Sequence, residues 1–149
     1  MRPWIQGEVM RLRGKAAECC GSVSGAAAVE FAVVVPVFIL MLVGIIQYGG
    51  YFWLSHSAQQ LANDAARAAI AGLSAAERTQ LAQAAVTNEL PTYSAFTPNL
   101  LSVAESEQSQ AFTVSLSYNA AQSGFWMMPI IPMPSTTIVR SATVKLGGY

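Results

Sequence analysis

At 149 residues the chain is long enough for one modest domain. Its 53% hydrophobic and 11% charged residues, with the apolar excess gathered in the first third, point to a membrane class rather than a soluble one. Eight basic and eight acidic residues leave no net charge, and no Lys/Arg cluster alternates with aromatics, which excludes a nucleic-acid footprint. The two cysteines, Cys19 and Cys20, are adjacent and precede the apolar run, so the remainder has no thiol for a disulfide or a metal site.

Residues 1–24 read as a short leader. It holds Arg2, Arg11, Arg13 and Lys15 against Glu8 and Glu18, and no further Lys or Arg follows until Arg67. The positive-inside rule then keeps the N-terminus in the cytoplasm and sends the C-terminal part across the membrane. A lipid-attachment reading of Cys19 or Cys20 wants a hydrophobic stretch before the cysteine, whereas here the charged Lys15 and Glu18 precede it and the apolar run follows. A secretory signal peptide has an apolar core of about 7 to 15 residues ending at a small-x-small site. The present run is longer, although Ser55-His56-Ser57 before Ala58 keeps a cut by signal peptidase open as an alternative.

From Phe31 to Leu54 no residue carries a formal charge. A helix of that length covers about 36 Å against a hydrocarbon core of about 30 Å, enough to span with some tilt. Glu30 stands where the run begins. A carboxylate deep in a membrane helix costs on the order of 2.5–3.5 kcal/mol, which makes Glu30 a candidate functional residue, with a marker of the interface as the alternative. Pro36 lacks an amide donor and implies a kink, which membrane helices tolerate. Gly44, Gly49 and Gly50 offer close-approach points for another helix without forming a strict GxxxG, with flexibility near the outer interface as the alternative. Tyr48, Tyr51, Phe52 and Trp53 form an aromatic belt where the helix leaves the bilayer.

The stretch Gly25-Ala26-Ala27-Ala28-Val29-Glu30-Phe31, a Gly followed by small or apolar residues, then Glu and an aromatic, then an unbroken apolar helix, resembles the processing site of type IV prepilins. The wording AAAVEFAVVVPVFILMLVGI is similar to the TadE-like minor pilins, or pseudopilins, of the tight-adherence (Tad/Flp) pilus system. The resemblance implies that a membrane-embedded prepilin peptidase cuts after Gly25, that Ala26 becomes the new N-terminus, and that Glu30, followed by Phe31, is the fifth-position acid used in assembly. The spacing agrees: Ala26 and Glu30 are four apart, so on a helix a fresh amine lies near a carboxylate of its own or a neighbouring chain. Gly25 lets the backbone approach a peptidase closely. Many pilins begin the mature chain with an N-methylated Phe; here the position is Ala26, and methylation is not expected.

Beyond the belt, Leu54, Ala58, Leu61, Ala65 and Ala69 recur at helical spacing, so the same helix is expected to continue to about Ala71 and stop at Gly72. Ser74-Ala75-Ala76-Glu77 has the form of a capping box, and Leu81, Ala85, Val86 and Leu90 supply an apolar stripe, which predicts a second helix over about 75–90. Residues 92–98, with Pro91 and Pro98 flanking the segment, read as a loop. Phe112, Val114, Leu116 and Tyr118 alternate with polar residues, and Thr136 to Leu146 is rich in Thr, Ile and Val, giving two strands, with Leu100 to Ala104 a weaker third. The apolar loop from Gly124 to Pro134, with Phe125, Trp126, Met127 and Met128, reads either as core cover or as a contact surface for another subunit or the outer leaflet. TadE-like proteins carry a similar apolar, Pro-containing segment there, so the resemblance covers most of the mature chain, closely at 25–72 and loosely after 100.

The expected fold is α+β and pilin-like: a cleaved cytoplasmic leader (1–25), a transmembrane helix (26–54), and a periplasmic domain (55–149). In that domain the helix extension, a short second helix and about three antiparallel strands pack together. No metal-ligand spacing, phosphate loop or paired carboxylates appear, and His56, the single histidine, stands in no nucleophile–base–acid constellation, so no enzyme, cofactor, metal or small-molecule substrate is expected. The expected partners are the prepilin peptidase, other Tad pilins or pseudopilins and the inner-membrane assembly platform. The expected location is the bacterial inner membrane or the base of a pilus, with a role in pilus assembly and surface adhesion. An uncleaved single-pass anchor and a secreted binding module remain the alternatives.

Overall fold

The computed structural model describes residues 24–122, 131, 132 and 134–147. They divide into two compact units, one ending at Leu42 and the other beginning at Val43. In chain order the elements are α1 (Ser24–Ala69), α2 (Ala75–Glu89), β1 (Leu101–Gln108), β2 (Ala111–Asn119) and β3 (Thr137–Lys145), with short 3-10 turns at Leu90–Thr92, Pro98–Leu100 and Ala120–Gln122. The architecture is α+β, as expected from the sequence: a long apolar helix, a second helix and a three-stranded antiparallel sheet in the order β1-β2-β3.

In the first unit the described residues are all helix. Val33, Val34 and Val35 are stiff β-branched residues that lower helix propensity slightly in water. In hydrocarbon, however, a helix satisfies each backbone amide and carbonyl within the segment. The helix runs unbroken through Pro36, which leaves the carbonyl of Ala32 without its usual donor.

In the second unit α1 changes character. Leu54, Ala58, Leu61, Ala62, Ala65, Ala66 and Ala69 fall on one stripe and are all at most 1% exposed. Alanine combines the best helix propensity with a side chain small enough for a sheet to approach closely. The sheet presents Phe112, Val114, Leu116 and Tyr118 from β2 and Ile138 and Ala142 from β3 to this core, while α2 adds Ala82 and Val86. Each large side chain fully buried here contributes about 1.5–3 kcal/mol of transfer free energy. The opposite sheet face carries Thr113, Ser115, Ser117, Ser141 and Thr143, with the Thr113 and Thr143 hydroxyls 2.9 Å apart.

Element ends follow local chemistry. α1 stops at Ala69, two residues short of the expected Ala71, because Ile70, Ala71 and Gly72 donate to Arg67, Ala68 and Ala69 in a tightened last turn, at 3.2, 3.3 and 3.0 Å. Gly72 is required there: a Cβ would lie 2.7 Å from the backbone nitrogen of Arg78. At α2 the Ser74 hydroxyl accepts from the Glu77 amide at 3.2 Å, while the Glu77 carboxylate accepts from Leu73, one residue earlier than a standard capping box, at 2.8 Å. α2 ends at Glu89, and Leu90 and Pro91 continue in a 3-10 turn.

β1 extends to Gln108 rather than ending at Ala104. Glu105, Ser106, Glu107 and Gln108 are not strand formers, but pairing with β2, from Leu101 opposite Tyr118 to Gln108 opposite Ala111, holds them extended. The hairpin turn is Ser109-Gln110, with φ of 49° and 63°, the two left-handed residues that a type I′ turn requires. Arg78 ties these pieces together: its guanidinium is bidentate to Glu107 on β1, at 2.7 and 3.0 Å, and donates to the Gly72 carbonyl at 3.0 Å. Between α2 and the sheet, Tyr93, Phe96 and Tyr118 stack edge-on or tilted, with Phe96 and Tyr118 centroids 5.0 Å apart. Burial, helped by Asp64 and Glu89, raises the Tyr93 hydroxyl above its ordinary pKa of 10.0.

Candidate functional site

The expected processing and assembly residues occupy the first turns of α1. Gly25, Ala26, Glu30 and Phe31 are all exposed, and a side chain added at Gly25 would meet no atom of the described chain within 4 Å. Ala26 and Glu30 share a helix face by their spacing. Among the described residues the one ion pair is Arg78 with Glu107, so no described cation of this chain pairs with Glu30. A carboxylate in that position is available to a charge supplied from outside the described residues.

Among the described residues the apolar wall that follows is exposed at nearly every position. Phe31 is 70% exposed, and Val29, Val33, Val34, Val37, Phe38, Ile39, Leu40 and Met41 are exposed as well. The most apolar window of the helix is entirely unburied, as a surface meant for lipid or for other helices would be. The helix is long and apolar enough to cross a membrane.

At the far end of the run the aromatic belt is only partly open. Phe52 and Trp53 are exposed, whereas Tyr48 and Tyr51 are half-buried. The Tyr48 hydroxyl donates to the Pro132 carbonyl at 2.8 Å, and the Cβ position of Gly44 lies 3.4 Å from Ile131 Cδ1. Ile131 and Pro132 of the apolar loop thus pack along the helix at Gly44 and Tyr48. Phe125, Trp126, Met127 and Met128, the residues expected to form a subunit contact, lie outside the described residues.

A linkage that sequence reasoning missed joins α1 to β3. The Arg140 guanidinium donates to the Ser55 hydroxyl and to the Val139 carbonyl, and the Gln59 amide donates to the Ser141 carbonyl at 3.0 Å. The signal was present in the alternation of β3: Ile138, Arg140, Ala142 and Val144 share one side of the strand, so Arg140 belongs to the face that carries the buried Ile138 and Ala142. His56 is exposed and borders the same region. Among the described residues no group of three or more His, Cys, Asp or Glu side chains is placed to hold a metal ion.

Residues 25–67 match the family model described as TadE-like protein. No curated protein and no solved structure gives a significant match. The matched stretch begins at Gly25 and ends two residues before the end of α1, covering the exposed apolar run and most of the alanine-lined stripe. Over residues 25–67 the chain is similar to that family, the same one that residues 25–31 resemble.

Proposed function

We propose that this protein is a minor pilin or pseudopilin of a tight-adherence pilus, cut after Gly25 by a prepilin peptidase and acting in pilus assembly and surface adhesion. The TadE-like match supports a structural role in association with a Tad pilus. What supports cleavage is that the match starts at Gly25, the residue whose missing side chain lets a peptidase approach the backbone. In this reading residues 1–25 are the leader, 26–54 span the inner membrane, and 55–149 form the periplasmic domain, with the basic leader fixing the orientation. After cleavage Ala26 carries an amine and Glu30 a carboxylate one turn along, and in a low-dielectric setting each attracts its counterpart on a neighbouring pilin more strongly than in water. Other Tad pilins and the assembly platform of the inner membrane are the partners.

The mass of the protein purified from membranes tests the reading. The expected product begins at Ala26, and Gly25→Val abolishes it without preventing membrane insertion. An intact chain would establish the uncleaved anchor instead, and a product beginning near Ala58 would establish a secreted module.

A further inference from the structure

Arg140 and the belt residues of α1 border a cleft of about 450 Å³, lined by Phe52, Trp53, Ser55, His56, Gln59 and Arg140. None of the six is acidic. The half-buried Arg140 donates to Ser55 and to its neighbour's carbonyl, which uses two of the five N–H donors of a guanidinium, and no carboxylate among the described residues pairs with it. A guanidinium withdrawn from water beside aromatic rings is costly unless an anion meets it, and its planar fork matches the oxygens of a phosphate.

The cleft also has a hydrocarbon side. Ile45, Gly49, Phe52 and His56 recur at helical spacing along one stripe of α1, and all four are exposed. A Cβ at Gly49 would meet none of the described residues within 4 Å, so among them the stripe is open from the cleft down into the apolar run. Phe52 and Trp53 mark where that run ends, the depth at which aromatic belts and lipid phosphates sit. An anion-binding head continuous with an open apolar stripe fits a molecule that has a phosphate at one end and acyl chains at the other.

We propose that this cleft holds the headgroup phosphate of an anionic phospholipid, paired with Arg140 and flanked by His56 and Trp53, with the acyl chains lying along Ile45, Gly49 and Phe52. The proposal rests on the membrane-spanning part of the functional reading and not on the pilus itself. Its consequence is that the chain is fixed in depth and rotation against the leaflet from which α1 emerges.

The test uses the full chain in nanodiscs of phosphatidylcholine containing a minor fraction of phosphatidylglycerol, with the lipid retained on the released protein read by native mass spectrometry. The wild type should keep one phosphatidylglycerol per chain. Arg140→Gln should lower that retention roughly ten-fold or more, the loss expected when a charge-assisted hydrogen bond is removed, and Arg140→Lys should restore part of it. Gly49→Leu, which fills open space without touching the described fold, should also lower it, so the proposal stays testable if Arg140→Gln fails to fold. Equal retention by wild type and the variants, or no retention by the wild type, overturns the proposal. Release of the lipid by excess inorganic phosphate would show a plain anion site and overturn the lipid assignment. A chain that does not enter the disc overturns the membrane reading with it. Cleavage and pilus assembly play no part in the measurement, so the pilus reading stands or falls separately.

Discussion

The two ends of α1 are built from different residues and do opposite things. Residues 29–42 expose valine, isoleucine, leucine and phenylalanine all round, whereas residues 54–69 bury a stripe of leucine and alanine under a sheet. Helical periodicity separates the two cases. An apolar surface without a polar face demands an apolar surround on all sides, and an apolar stripe demands one partner. Size adds to the contrast. The buried stripe is mostly alanine, because the sheet supplies the bulk through Phe112, Leu116 and Tyr118, while the exposed run supplies its own bulk. The exposed run is apolar at nearly every position and the buried stripe only where helical spacing faces the sheet, so periodicity and side-chain size together tell which one meets its own chain.

The comparison predicts its sharpest contrast between two phenylalanines. Phe112 is 1% exposed in the core and Phe31 is 70% exposed. Phe112→Ala should destabilise the protein by about 3–5 kcal/mol, through lost transfer energy and a cavity. Phe31→Ala should move the unfolding free energy of the same protein by no more than about 0.5 kcal/mol, as exposed positions do. Denaturant unfolding in detergent, followed by circular dichroism, reads both. Similar losses would mean that the first turns of α1 also support the fold.

A smaller effect is expected where the buried stripe ends. Gly72→Ala places a methyl group 2.7 Å from the Arg78 nitrogen, a backbone atom that cannot move aside alone. The turn and the Arg78–Glu107 pair must shift together, at a cost of about 1–3 kcal/mol, the usual range for forced overpacking. A drop in Tm for this variant, with no drop for Gly49→Ala at an open position, checks the claim.

Most of this contrast was legible in the sequence, and the failures have specific causes. The alanine stripe, the Ser74 cap and the alternation of β2 are repeated local signals, and each placed its element within a residue or two. The outer half of β1 was missed because Glu105 and Glu107 look like loop residues until β2 supplies their pairing and Arg78 a counter-charge. The Ser109-Gln110 turn was missed because neither residue is glycine, and Asn or Asp is the usual substitute at positive φ. Arg140 reads as one more surface cation in a strand, and its place beside Ser55 depends on a contact 85 residues away. For Gly25 and Glu30 the structure adds that both are exposed at the start of α1.

A weaker test concerns pH. The fold raises the pKa of Tyr93 above 10.0, chiefly by burial and then through Asp64 and Glu89, so the folded state holds that proton more tightly than the unfolded chain. The sign follows: this contribution is fully present below pH 10 and is lost as pH rises through 10 and the raised folded value. Ultraviolet titration should show a late-ionising tyrosine that Tyr93→Phe removes, and Tyr93→Phe should blunt the alkaline loss of stability. Titration of every tyrosine near 10 would contradict the burial argument.

Residues 54–69 hold the fold, and the proposed role of the exposed start of α1 is to serve other chains. Glu30→Gln keeps size and hydrogen bonding while removing the charge, and it lies far from every buried residue of the core in sequence. The measurement is the unfolding midpoint of the purified variant set beside crosslinking to pilin partners in the membrane. The account predicts a variant that inserts, is cut after Gly25 and unfolds at the wild-type midpoint, yet loses its pilin crosslinks. Wild-type crosslinking with wild-type adherence would contradict it, reducing Glu30 to an interfacial residue and leaving the uncleaved anchor as the better description.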